Sequence, residues 1–507
     1  MMALHARSRR CSSLALIVIF VTVVVYLVKS AALVPRAEQT HYARSPVNKT
    51  SINPMQPPED VVGFWRELVR TMKQHEPVMP AIEIQGGQPA EYEMVFKGTK
   101  TQRANRVTVA GNNLVRLEIT HTQFVNRVKQ LSRQMPFARG AKGIVMTATG
   151  DQVGQAITSI LMLRRTGSQL PVQLFLFSEE DFKKNEAICQ GVFPALKTEC
   201  WVMDKILESS PEEIDLEHYQ LRIFAILFST FQEVLFLAHD TWPVHNPDRL
   251  FGTQPYKLHG MVTWPDNWLS TTAREFYDIA AVPVPDVLER RSADPSIVMC
   301  NKASHARSIM LAAYYNVFGP RIYYPLLQQG AATVIDKAEH SDRDTLTNAA
   351  IAMEEKFYDV KTNVAQGGRR LNGEYLAVMN KQADPWEDYR LFGDGKSGAA
   401  KEARKDLRNL GADGREMRAR TLFIRHDGVK LDVKRPLRAL SALFDVDQQD
   451  GRHARLWGPE SELNLEAGFD VEKGLWEEFI DADCASTFLS HECEQLERYL
   501  VDVFYTV

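Results

Sequence analysis

A large excess of charge of one sign is missing from this chain. Its 507 residues carry 60 Lys and Arg against 64 Asp and Glu, a formal net charge of -4. That balance builds no broad basic field, so no nucleic acid is expected as a partner. Cysteine is sparse, at six, and no Cys-x-x-Cys pair occurs, which excludes a structural zinc site of that kind. Internal repeats and low-complexity tracts are absent too, and with them solenoids and arrays. Gly395-Lys396-Ser397 lacks the upstream glycine of a phosphate loop, because Arg390 stands there. His239 and His245 lack His-Glu-x-x-His spacing, and Pro243 forbids the helix that a zinc protease needs.

What is there begins with an address. Arg7, Arg9 and Arg10 precede Leu14 to Val28, fifteen uncharged residues rich in Leu, Ile and Val and closed by Lys29. The run is short beside the ~20 residues of a spanning helix and long for a signal-peptide core. Ser30-Ala31-Ala32 offers a cleavage site, which keeps a secreted product open. The favoured reading is an uncleaved signal-anchor over 14–34, with a cytoplasmic tail at 1–13 and a lumenal body beyond. Its brevity suits an early secretory membrane. Asn48-Lys49-Thr50 is the one glycosylation sequon, and five cysteines follow the anchor, where disulfides persist. Cys189 with Cys200 and Cys484 with Cys493 are candidate local bridges; spacing alone does not settle the pairing.

Residues 35–135 read as stem and neck. Pro35, Pro46, Pro54, Pro57 and Pro58 punctuate a polar stretch. An amphipathic helix follows from about Glu59 to Gln74, with Val62, Trp65, Leu68, Val69 and Met72 at helical spacing, then a second near Thr120 to Arg133. Residues 136–507 read as the main domain. Strands near 143–148, 171–177, 201–203 and 233–237 alternate with helices near 151–164, 178–189 and 217–231; a later helix covers 308–317. Such alternation predicts an α/β domain with a Rossmann-like, mostly parallel sheet, whose ligands gather at the carboxyl ends of strands. Asp240 falls at one such end, after the apolar run Val234 to Leu237. A transferase that releases a diphosphate can neutralise it with a divalent ion held by one or two carboxylates. Read alone, Asp240 is better taken as a turn residue that closes a strand end.

Several stretches in order carry a resemblance. They include Lys142-Gly143-Ile144-Val145, Tyr219 to Leu227, Val234 to Leu237 running to Asp240, Gly260 to Trp268, Ala313 to Pro320, Tyr324 to Leu327 and Ala383-Asp384-Pro385. Together they resemble the fungal Golgi Mnn-type alpha-mannosyltransferases of glycosyltransferase family 71, most closely the alpha-1,2 members. The resemblance implies a GT-A-like lumenal domain in a single-pass type II Golgi membrane protein. It further implies GDP-mannose as donor, Mn2+ as cofactor, a mannan or N-glycan acceptor, and complexes with other mannosyltransferases.

Residue by residue, it implies a site and also marks departures. The family strand ends Asp-Ala-Asp-Asn, and this chain reads Ala238-His239-Asp240-Thr241. The first acid is lost; Asp240 remains as metal ligand and donor contact. Leu422 to His426 resembles the family strand that ends at a histidine, so His426 is the second expected metal ligand. Arg222 is expected to grip the diphosphate as a bidentate partner, with Arg164 a weaker candidate. Trp264, Asp266 and Trp268 are expected to form a sugar wall on the acceptor side. Ile335-Asp336-Lys337 stands where the family has Gly-Asp-Lys, which makes Asp336 the candidate catalytic acid residue. With the strand's first acid lost at Ala238, and the family's Gly and Glu replaced by Ile335 and Ala338, a second reading stays open: a non-catalytic paralogue that binds glycan or an active partner subunit.

Overall fold

A computed structural model describes residues 55–85, 106–285, 290–329, 342–371, 374–393, 409–410, 415–426, 431–434, 455–457, 462–485 and 493–505. The expected anchor at 14–34, Asn48, and Asp336 lie outside the described residues. Among the described residues no helix is long and apolar enough to cross a membrane.

Eleven strands are described: β1 Ala138–Ala148, β2 Val172–Leu176, β3 Thr198–Val202, β4 Phe231–Leu237, β5 Thr241–Pro243, β6 Met261–Leu269, β7 Arg291–Asn301, β8 Tyr358–Asp359, β9 Ala365–Leu371, β10 Glu374–Ala383 and β11 Thr421–His426. The longer helices are α1 Glu59–Gln74, α2 Gly111–Leu131, α3 Val153–Arg165, α4 Leu221–Phe228, α5 Lys302–Val317, α6 Thr345–Ala352, α7 Val471–Ala485 and α8 Cys493–Phe504. Seven strands form the main sheet in the order β3-β2-β1-β4-β7-β6-β8. Only β7 runs against its neighbours, so the sheet is mixed yet mostly parallel, as expected. A second, antiparallel sheet has the order β5-β11-β10-β9.

Side-chain alternation builds two cores, one on each face of the main sheet. Ile144, Met146, Leu235 and Leu237 join one cluster, and Val145, Val234 and Phe236 the other. Central strands bury both faces, which is why Val234 to Leu237 is apolar without a break. The first cluster also takes in Ile157 and Ile160 of α3, Leu422 to Ile424 of β11, and Leu475 and Phe479 of α7. The second takes in residues of α1, α2, α4 and α5. Trp65 of α1 meets Phe224 and Phe228 edge-on at 5.9 and 5.2 Å, and Phe124 of α2 stacks on Tyr314 at 4.0 Å. The two helices in the segment read as neck therefore share a core with the sheet. Each such ring contributes about 1.5–3 kcal/mol through burial.

Several helices differ from expectation: the one expected near 120–133 runs Gly111–Leu131, and the one expected over 308–317 begins at Lys302. The one expected over 217–231 spans only 221–228, after a 3-10 turn at His218–Gln220. It stops because Ser229 turns to extended geometry (ψ 148°) and Phe231 pairs with Ala138 across β4 and β1. The one expected over 178–189 breaks into Glu179–Lys184 and Glu186–Gly191. A disulfide joins Cys189 to Cys200, tying the latter helix to β3. The side chains of Cys484 and Cys493 lie outside the described set, and Cys300 is a buried free thiol.

Candidate functional site

The chain changes sheets at one corner. β4 ends at Leu237 in the middle of the main sheet, and β5 opens the second sheet at Thr241. The three residues between are pinned by their backbone. Ala238 N–H donates to the Ser296 carbonyl (2.8 Å), Ser159 Oγ donates to the His239 carbonyl (2.6 Å), and His426 N–H donates to the Asp240 carbonyl (3.2 Å). Thr241 N–H turns back to the Ala238 carbonyl at 3.1 Å. These contacts come from β7, α3 and β11, so the position of Asp240 is set by elements far apart in sequence.

Charged side chains ring this corner. Arg425 Nε lies 3.4 Å from Asp240 Oδ2, with the two side chains 34% and 21% exposed. Burial would push the Asp240 carboxyl up, but Arg425 and His239 together hold it below its ordinary value. Arg343 pairs with Asp266 at 3.1 Å, at the far end of β6. Burial pushes the Asp266 carboxyl above its ordinary range despite Arg343, and the neighbouring Asp294 adds to the push. Arg425 acts on Asp266 as well, which places both pairs within one electrostatic neighbourhood. Asp294 accepts from Ser296 N–H and from Gln382 Nε2, each at 2.8 Å. Two carboxyls driven in opposite directions offer a permanent anion beside a group able to exchange a proton nearer neutrality.

The expected residues are only partly brought together. Asp240, just before β5, and His426, at the end of β11, are joined by a backbone contact, and the expected shared metal site is not tested by it. The His426 ring is 6% exposed and lies 6.2 Å from the Trp457 ring. Asp266 joins the corner, whereas Trp264 does so only from the core. Trp264 is 1% exposed, donates Nε1–H to the Ala383 carbonyl (2.8 Å) and packs edge-on against Phe423. The Trp268 side chain lies outside the described set. Arg222 is buried in an ion pair with Asp342 (2.7 Å), and Arg164 donates to the carbonyls of Leu196, Ser168 and Leu170. Sequence reasoning did not name Arg425 or Arg343 as site residues. Only Arg425 carried a signal, as the strand neighbour of His426 that must face the other way.

A divalent ion finds a limited donor set here. Among the described residues no three His, Cys, Asp or Glu side chains converge as a ligand group. Asp240 offers one hard oxygen, which fits an ion whose other ligands are phosphate oxygens and water.

Asp240, Asp266, Asp294 and Arg343 of this corner lie within a stretch shared with known proteins, and Arg425 and His426 lie beyond it. The mannosyltransferase family model Mannosyl_trans3 matches residues 141–291 and 284–375. Alpha-1,2-mannosyltransferase MNN2 of Candida albicans is 31% identical over 258 residues, 43% of this chain and 42% of that protein. MNN22 of the same yeast is 26% identical over 410 residues, 71% and 68% respectively. Alpha-1,2-mannosyltransferase MNN5 of Saccharomyces cerevisiae is 26% identical over 302 residues, half of each chain. Over the matched residues the chain is similar to the fungal Mnn-type mannosyltransferases. It spans about half the length of the curated relatives it matches. Solved structures similar to it include the galactosyltransferase LgtC with donor and acceptor sugar analogs (TM-score 0.30, 10% identity, 61% of this chain and 98% of that one). Another is the glycosyltransferase GlyE of Streptococcus pneumoniae (TM-score 0.26, 12% identity, 43% and 45%).

Proposed function

We propose that this chain transfers mannose from GDP-mannose to a mannoside hydroxyl in alpha linkage, with alpha-1,2 the bond its relatives are named for. The acceptor class is mannan or an N-glycan mannose. The setting is the Golgi lumen, with a GT-A-like domain held by the 14–34 anchor. The observation that carries this reading is that Asp240, just past β4, and Asp266, in β6, both feel Arg425, with Asp240 held low and Asp266 pushed high, inside the stretch matched by the mannosyltransferase model.

Each residue then has a task. Asp240 stays anionic and faces the donor side. Asp266, oriented by Arg343, accepts hydrogen bonds from acceptor hydroxyls and takes a proton from the attacking one, a role suited to a raised carboxyl. Mn2+, when bound, would neutralise the leaving diphosphate, with Asp240 as its protein oxygen.

The test is transfer of radiolabelled mannose by the purified full chain to an alpha-mannoside acceptor in Mn2+. Wild type is expected to transfer label, and Asp266→Asn to lose about 100-fold or more, the usual scale of a general base. Undiminished transfer by the variant contradicts the assignment. Ala238 and the Arg425 guanidinium on Asp240 favour one second reading, a non-catalytic glycan-binding paralogue or partner subunit. Mannoside binding by wild type without any transfer decides for it.

A further inference from the structure

We propose that Arg425 is a donor-site residue whose guanidinium binds the diphosphate of the sugar nucleotide and gives the site a hold on its donor that needs no metal. The inference rests on the sugar-nucleotide reading above.

Placement comes first. Arg425 stands opposite Thr241 in the β11–β5 register, so it occupies the corner where β4 hands the chain to the second sheet. Ligands of α/β sheets are expected at that end. Its neighbour His426 is 6% exposed beside Trp457, while the Arg425 side chain is one-third exposed. The strand therefore sends one residue inward and presents the next to the corner.

The contact with Asp240 is loose for a charged pair. Arg425 Nε sits 3.4 Å from Oδ2, against about 2.8 Å for a tight charge-assisted bond. Arg222 makes the contrast: its Nε is 2.7 Å from Asp342, and both side chains are under one-tenth exposed. A sealed pair of that kind is a structural element, whereas a long, accessible one can exchange partners. A diphosphate brings more charge and more acceptor oxygens than one carboxylate, and the planar guanidinium matches phosphate geometry.

Charge at the corner points the same way. With Ala238 in the place of an acid, Asp240 is the carboxylate left beside the strand end, and Arg425 already offsets it. A corner so balanced holds a metal ion weakly on its own and benefits from a protein cation when a diphosphate arrives.

The test is calorimetry of GDP with the full chain in excess EDTA. Wild type is expected to bind, Arg425→Gln to bind about tenfold or more weakly, and Asp240→Asn to bind at least as well as wild type because a negative charge beside Arg425 is gone. Tenfold is the scale of one lost charge-assisted hydrogen bond. Equal binding by wild type and Arg425→Gln overturns the inference. So do equal losses in Arg425→Gln and Asp240→Asn, which would mean that Arg425 acts only by holding Asp240. Binding by wild type in Mn2+ but not in EDTA overturns it while leaving the donor reading intact. Failure to bind in either condition removes the donor reading itself.

Discussion

Arg222 and Asp342 form a buried ion pair 2.7 Å apart that joins α4 to the segment entering α6, 120 residues away. Arg222 was the natural candidate for a diphosphate clamp. The pair instead ties two elements of the second core, and Arg222 also donates to the Asp342 carbonyl at 3.3 Å.

Removing one member of such a pair strands the other charge in a buried place. Arg222→Ala is therefore expected to cost about 3–5 kcal/mol of stability, measured by chemical denaturation. The donor affinity of the folded fraction should stay at the wild-type value. A stable variant with weakened GDP binding would return Arg222 to the donor site.

Lys302 is a second structural side chain. Its Nζ is wholly buried and donates to the carbonyls of Pro136, Leu227 and Ser229 at 3.1, 2.8 and 2.6 Å. Those carbonyls lie at the entrance to β1 and the end of α4, so one side chain closes both. Lys302→Met fills similar space without a donor, and three buried acceptors lose their partner. A loss of about 2–4 kcal/mol is expected in denaturation. An unchanged midpoint would mean that the carbonyls find other donors.

The legibility of this fold is uneven, and the reasons are local. The α1 bounds and the run from Val234 to Asp240 were readable because helical spacing and an unbroken apolar strand are short-range signals. Alternation of strands and helices gave the mostly parallel sheet. The length of α4 was not readable: Phe228 and Phe231 look alike in a window, and only pairing of Phe231 with Ala138 shows where the helix must end. At the site, Asp240 and Asp266 were flagged from the chain, yet their partners were not. Arg425 lies 185 residues from Asp240, and Arg343 enters from another element altogether. Such meetings depend on topology, and charge patterning along the chain carries no trace of them.

Glu472 offers a pH prediction. Its carboxylate, buried in α7, accepts from Leu456 and Trp457 N–H at 2.6 and 2.8 Å, and burial raises its value from 4.5 to about 7. The folded chain thus binds a proton that the unfolded chain has released between those pH values. Stability from this group is present at low pH and is lost as pH rises from 4.5 through about 7. The loss is at most about 3 kcal/mol. Glu472→Gln should flatten that part of the stability–pH curve. A variant that keeps the wild-type slope would assign the dependence to other groups.

The most direct test of the account is calorimetry of GDP-mannose with the full chain, with and without Mn2+, beside Asp240→Ala. The account predicts tighter binding by wild type in Mn2+ and no such gain in the variant. The same Mn2+ gain in Asp240→Ala, or no binding by wild type in either condition, would contradict it.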